Sequence, residues 1–161
     1  MVLAPTLDLV REANRTGDYN DCSYVLLLVE PGFKAIFAGD SHDKTWKHIL
    51  GKYKHVVSDV DLLIAPHHGR ASGRSFEFLS TVRPKMTFFG NAPSENLAYD
   101  QWNRPGWRKM TNNEANCVIV DTTHPNLPVY VTNERFARRN HLFTEPSYSP
   151  LHCAWEWGFI R

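Results

Sequence analysis

The chain has 161 residues with an apolar share of 42%, which suits one folded domain with a single core and excludes a disordered chain. Its net charge of +1, from 18 basic and 17 acidic residues, gives no global drive toward nucleic acid or an anionic membrane surface. Cys22, Cys117 and Cys153 form no Cys-x-x-Cys and read as buried free thiols. No apolar run reaches the roughly 20 residues of a membrane span, and the first residues lack a signal peptide's regions, so a cytoplasmic soluble protein is expected.

In chain order, residues 1–17 read as a strand end and a helix. Thr6 is the candidate N-cap, and Leu7, Val10 and Ala13 give a partial apolar face. A polar loop around Gly17 and a turn at Asn20-Asp21 lead into Ser23–Val29. That run is apolar without alternation, the pattern of a central strand covered on both faces. Glu30-Pro31-Gly32 turns the chain into a returning strand that ends at Gly39-Asp40. A helix capped by Ser41 or Asp40 should follow, because Trp46, Ile49, Leu50 and Tyr53 recur at helical spacing. The next strand, Asp59–Ala65, stops at Pro66.

Residues 67–75 form a Gly/Ser/Arg loop. A short helix bearing Phe76, Leu79 and Val82 ends before Pro84, and Lys85–Gly90 reads as a strand. Residues 91–116 look irregular, with a short helix near Ala98–Asn103. Two strands, Cys117–Asp121 and Val129–Thr132, flank a turn at His124-Pro125-Asn126. From Glu134 the pattern fades into a tail with Arg135, Arg138 and Arg139, then Leu142-Phe143, then Trp155, Trp157 and Phe159. The order predicts an α/β fold, a mixed β-sheet with flanking helices.

Chemistry-bearing groups gather at two strand ends, Phe37-Ala38-Gly39-Asp40 and Leu62-Leu63-Ile64-Ala65-Pro66-His67-His68-Gly69. Strand ends fix the backbone while loops expose the side chain. Imidazole and carboxylate are metal-ligand types, and a carboxylate has two oxygens with which to bridge two ions about 3.5–4 Å apart. Asp40 and the histidine pair are therefore the candidate metal ligands. His42 is a weaker supplement because it opens the predicted helix. The plainer alternatives are a turn or helix cap for Asp40 and surface or core structure for the histidines.

These motifs, together with Val2-Leu3-Ala4-Pro5, Asn20–Leu26 and Arg83-Pro84-Lys85, resemble the C-terminal half of metallo-β-lactamase-fold hydrolases. The nearest likeness is to the hydrolase domain of bacterial DNA-uptake competence proteins and its stand-alone relatives. The resemblance covers roughly residues 1–133 and leaves 134–161 as a tail of unknown structure. It implies half of an αββα sandwich and hydrolysis of a phosphodiester or ester by metal-bound hydroxide. It implies one or two Zn²⁺ ions, or Mn²⁺, with Asp40 bridging and His68 ligating. His67, standing where the family has glycine, joins the metal set or supports it from behind. Arg70, Ser72 and Arg74, in the loop over the site, become candidate contacts to an anionic substrate, nucleic acid included.

The family's His-x-His-x-Asp-His motif does not occur in this sequence. Two expectations follow. The chain is part of a split or longer hydrolase, completed by an N-terminal half or by a homo-oligomer; or it is a non-catalytic interaction domain that has kept the fold. Either way, half a sandwich exposes an apolar sheet face that calls for a partner.

Overall fold

In the computed structural model, which describes residues 1–142 and 145–161, an antiparallel hairpin nucleates the first sheet. Strand β2 (Val25–Glu30) returns through Pro31-Gly32 as β3 (Phe33–Phe37), in a register that pairs Leu26 with Phe37 and Glu30 with Phe33. Strand β1 (Val2–Ala4) adds antiparallel to β2. Strands β4 (Leu62–Ile64) and β5 (Met86–Phe89) join parallel on the other side, and β6 (Arg108–Thr111) is the last strand of the order β1-β2-β3-β4-β5-β6. Parallel neighbours need crossovers. Helix α2 (Asp43–Val57) makes the first and the short α3 (Leu79–Val82) lies in the second. The protein is thus mixed α/β, a mixed sheet flanked by helices, as its pattern predicts.

The core lies between this sheet and its helices. Leu27, Ile36 and Leu63 form one cross-strand row, each 2% exposed or less. Against them pack Leu9 of α1 (Leu7–Thr16), Trp46, Ile49 and Val57 of α2, and Leu79 and Val82 of α3. Trp46 stacks on Phe78 at 4.1 Å between centroids. The other sheet face is apolar too, and here β2 departs from expectation. It is buried on one face only: Leu26 is 41% exposed, and its cross-strand partners Val2 and Phe37 are 53% and 42% exposed. Lack of alternation therefore marks a strand apolar on both faces, not one covered on both.

The helix ends show which caps were legible. Thr6 Oγ1 accepts the Leu9 N–H, and Gly17, in the left-handed region, closes α1. At α2 neither Ser41 nor Asp40 caps. The N-cap is His42, which makes no capping bond through its side chain. The service comes from a distant residue: buried Asp21 accepts the Thr45 N–H through Oδ1 at 3.0 Å, and its carbonyl accepts the Thr45 hydroxyl at 2.9 Å. Nothing local in the sequence points to a cap 24 residues away.

The chain divides into two compact units, Met1–Lys109 and Met110–Arg161. In the second, α4 (Asn112–Ala115) precedes β7 (Val118–Val120) and β8 (Pro128–Val131), the two strands expected there. The tail is not patternless. Helix α5 (Glu134–Asn140) and strands β9 (Tyr148–Ser149) and β10 (Ala154–Phe159) complete an antiparallel sheet of order β7-β8-β10-β9. Leu142 is exposed, while its predicted companion Phe143 lies outside the described residues. The cysteines are free, as expected, but not buried: Cys117 and Cys153 are exposed and Cys22 is half-buried. No helix among the described residues is long and apolar enough to cross a membrane.

Two outcomes follow from these caps and carboxylates. Asp21→Ala removes an acceptor from a buried N–H and should cost about 2 kcal/mol in urea unfolding. Asp121 is held below the usual 3.8 by bonds from the Thr123 hydroxyl and N–H, then by His124 and His152; Glu12 is held at about 2 by Arg15 and Lys44. Depressed carboxyls stabilise above their unfolded values and lose that contribution as pH falls through the folded ones. Stability should therefore be flat down to about pH 5 and decline below about pH 4, and Asp121→Asn should lessen that decline. An unchanged acid limb in the variant counts against the Thr123 bonds as its cause.

Candidate functional site

The parallel register of β3 and β4 pairs Phe37 with Ile64, so both strands end at the same level. The two ends are then joined directly: the His67 N–H donates to the Gly39 carbonyl at 2.8 Å. Gly39 adopts φ +53°, and a Cβ there would lie 2.8 Å from the Tyr24 carbonyl, so only glycine fits without displacing backbone. Asp40 follows at once. Its carboxylate is 47% exposed and accepts no hydrogen bond from the described residues. The closest basic atom is His68 Nε2, 3.9 Å from Oδ1.

The histidine turn, Pro66–Gly69, is unusual backbone. His67 and His68 both have positive φ, 48° and 59°, and Gly69 follows at 86°. Such conformations cost about 1–2 kcal/mol each for a residue with a Cβ, so the surroundings must impose them. Two contacts do. A Cβ on Gly69 would run into the ring of buried Phe89, which holds the turn against β5. A Cβ on Gly90 would strike Nδ1 of His68. The absence of a side chain at Gly90 thus leaves room for the His68 ring beside Asp40.

The two histidines have different partners. His67 Nδ1 lies 3.1 Å from Arg74 Nη2 and 3.3 Å from Ser72 Oγ. A guanidinium only donates, so Nδ1 accepts and the neutral ring carries its proton on Nε2. His67 in this arrangement offers a hydrogen-bond donor, whereas His68 Nε2 faces a carboxylate. Burial pushes the His67 pKa below 6.5, assisted by the charges of Arg74, Arg70 and His68 and opposed by Asp40. Arg74 is 6% exposed, donates through Nη1 to the Ser41 carbonyl at 2.7 Å, and leaves Nε without a partner. Burial lowers its pKa too, against the pull of Asp43, Asp40 and Asp21.

Of the residues singled out from the sequence, the fold brings Asp40, His68, His67, Ser72 and Arg74 into one neighbourhood. His42 is near, its Nε2 3.2 Å from the Ser72 carbonyl and its Nδ1 3.9 Å from Asp43. Arg70 forms an isolated bridge with Leu97 through its backbone, and its guanidinium has no hydrogen-bond or ion-pair partner among the described residues. Gly90 and Asp21 carried no signal in the sequence beyond a glycine after a strand and an acid in a turn.

Metal binding can be tested against these donors. A 3.9 Å separation lets His68 and Asp40 share an ion at the usual 2.0–2.2 Å bond lengths with little movement, but zinc sites take at least three protein ligands. Among the described residues no group of three His, Cys, Asp or Glu side chains is placed to hold an ion. The chain by itself fits part of a centre and not a whole one. Comparison with family models, with curated proteins and with solved structures finds no match in any of the three.

The two glycines give opposite expectations. Gly69→Ala should destabilise the fold by several kcal/mol in denaturant, since backbone conformation and the Phe89 ring both resist it. Gly90→Ala should change stability by less than about 1 kcal/mol, because the exposed His68 ring can swing aside, while shifting the His68 side-chain resonances in NMR spectra.

Proposed function

We propose that this chain contributes Asp40 and His68 to a metal-dependent hydrolase centre whose remaining ligands come from a partner polypeptide. The observation carrying this reading is the free Asp40 carboxylate 3.9 Å from His68 Nε2, at two strand ends tied by a backbone hydrogen bond. Carboxylates at Asp21, Asp40 and Asp43 lie close enough to buried Arg74 to pull against the lowering of its pKa by burial, so the pocket is acidic, while the guanidinium itself weakens the hold on a second cation. His67, held with its Nε2 proton outward, is suited to donate to an anionic oxygen of a phosphodiester or ester. Ser72 and Arg74 then act through His67, by fixing its ring. When bound, Zn²⁺ or Mn²⁺ would supply Lewis acidity and an activated water.

The exposed apolar row Val2, Leu26 and Phe37 supports the partner half of the proposal. The occupant is a complementary N-terminal half-domain or a second copy of this chain. The same row supports a second reading, a non-catalytic interaction domain. Metal chemistry separates the two.

Calorimetric titration of the purified chain with Zn²⁺ and Mn²⁺ should show one weak site, with a Kd above about 10 μM for two protein ligands. Asp40→Asn and His68→Ala should each abolish it. Gly90→Ala should weaken it several-fold although it removes no ligand. Metal binding that survives both ligand variants would remove the basis of the hydrolase reading. A monodisperse monomer that binds no ANS would remove the partner.

A further inference from the structure

In the second unit, one face of α5 borders a cleft of about 560 Å³ lined by Asn116, Thr132, Asn133, Arg135, Arg138 and Arg139, with Glu134 beside them. The cations there are not equivalent. Arg138 is engaged: its Nε donates to Glu134 Oε1 at 2.9 Å, and its guanidinium lies 4.7 Å from the Trp155 ring. Glu134 is thereby neutralised. Arg135 and Arg139 are exposed and have no hydrogen-bond or ion-pair partner among the described residues. They stand four apart on one helix, the spacing at which side chains meet and like charges repel. Both also line an adjoining cleft of about 390 Å³ together with Glu114, whose Oε2 accepts from the Thr111 hydroxyl and which forms no ion pair with either arginine.

The neutral polar wall is largely committed. Thr132 Oγ1 accepts from the Cys117 N–H at 3.0 Å. Asn133 uses both ends of its amide, accepting from Phe136 N–H at 3.2 Å and donating to the Glu114 carbonyl. These bonds fix the wall as a rigid surface facing two free guanidinium forks. A dianion that accepts from both forks would satisfy them and turn their repulsion into a clamp. The cleft is shallow and open to solvent, lined almost wholly by exposed residues, and leaves room beside the two forks for more than a bare oxyanion.

We infer that this cleft binds a small phosphorylated molecule of nucleotide size, with Arg135 and Arg139 gripping its phosphate. The inference is independent of the Asp40–His68 reading. The test is calorimetric titration of the whole chain with a nucleoside 5′-monophosphate, the matching nucleoside and inorganic phosphate, at about 0.15 M salt. The monophosphate should bind, inorganic phosphate more weakly, and the nucleoside not at all. Arg135→Gln and Arg139→Gln should each weaken monophosphate binding about tenfold, the scale of one charge-assisted contact. Both positions are exposed, and unchanged thermal melts would show the variants folded. Arg11→Gln on α1, an exposed arginine elsewhere, should have no effect. A double variant that binds like the parent, or an Arg11→Gln variant weakened equally, overturns the inference. A single-stranded oligonucleotide binding tenfold tighter than the monophosphate overturns it too, in favour of a polyanion track.

Discussion

The bond from the His67 N–H to the Gly39 carbonyl is the constraint on which the candidate site depends. It joins the ends of two parallel strands that α2 separates by more than 20 residues of chain. Its two partners arrive by different means. Gly39 reaches it because the β2–β3 hairpin register delivers β3 at the level of Tyr24, where only a glycine fits. His67 reaches it because Pro66 ends β4 and the chain turns through left-handed backbone pinned on Phe89. Without this bond Asp40 and His68 would sit on independently moving loops. With it, their separation is set by the sheet.

Arg74 is the second constraint, and its cost is instructive. A guanidinium at 6% exposure is tolerated only if compensated. No carboxylate among the described residues lies within ion-pair distance of it. Compensation comes from bonds to the Ser41 carbonyl and the His67 ring, and from the more distant charges of Asp43, Asp40 and Asp21. That arrangement does two things. It fixes the His67 tautomer, separating a donor histidine from a ligand-type histidine in the same dipeptide. It also opposes any cation at Asp40, since part of that carboxylate's field is already spent on Arg74. On the proposed reading, a metal at Asp40 would be held weakly for electrostatic reasons as well as for want of ligands.

Much of the first unit was legible. The hairpin, the α2 crossover, β4, β5 and the convergence of Asp40 with His68 all follow from apolar runs ending at turn residues, which is local information. What escaped is non-local. The Asp21 cap on Thr45, the Arg74 bond to the Ser41 carbonyl and the space left by Gly90 for His68 each join segments far apart in sequence. The residues after 133 were illegible for another reason. Strand β10 carries Trp155, Glu156, Trp157 and Gly158 with a register shift between Glu156 and Gly158, so a period-two pattern is broken in mid-strand. The exposure of Leu26 and Phe37 also could not be read from composition, because a strand apolar on both faces looks alike whether or not a partner is present.

The proposed ligand Asp40 and one end of the uncovered apolar row are close along the chain at the end of β3. Phe37, 42% exposed, is three residues before Asp40, and its neighbours across the sheet are Leu26 and then Val2. A polypeptide packed over that row would come within a few residues' length of the free carboxylate, so covering the surface and completing the coordination can be one event. The metal and the apolar contact would then be thermodynamically linked: each ligand the partner adds tightens the metal, and the metal tightens the partner by the same factor. Neither a proposed two-ligand metal site alone nor a bare sheet face alone would require a second polypeptide; their closeness at the end of β3 would give both the same remedy.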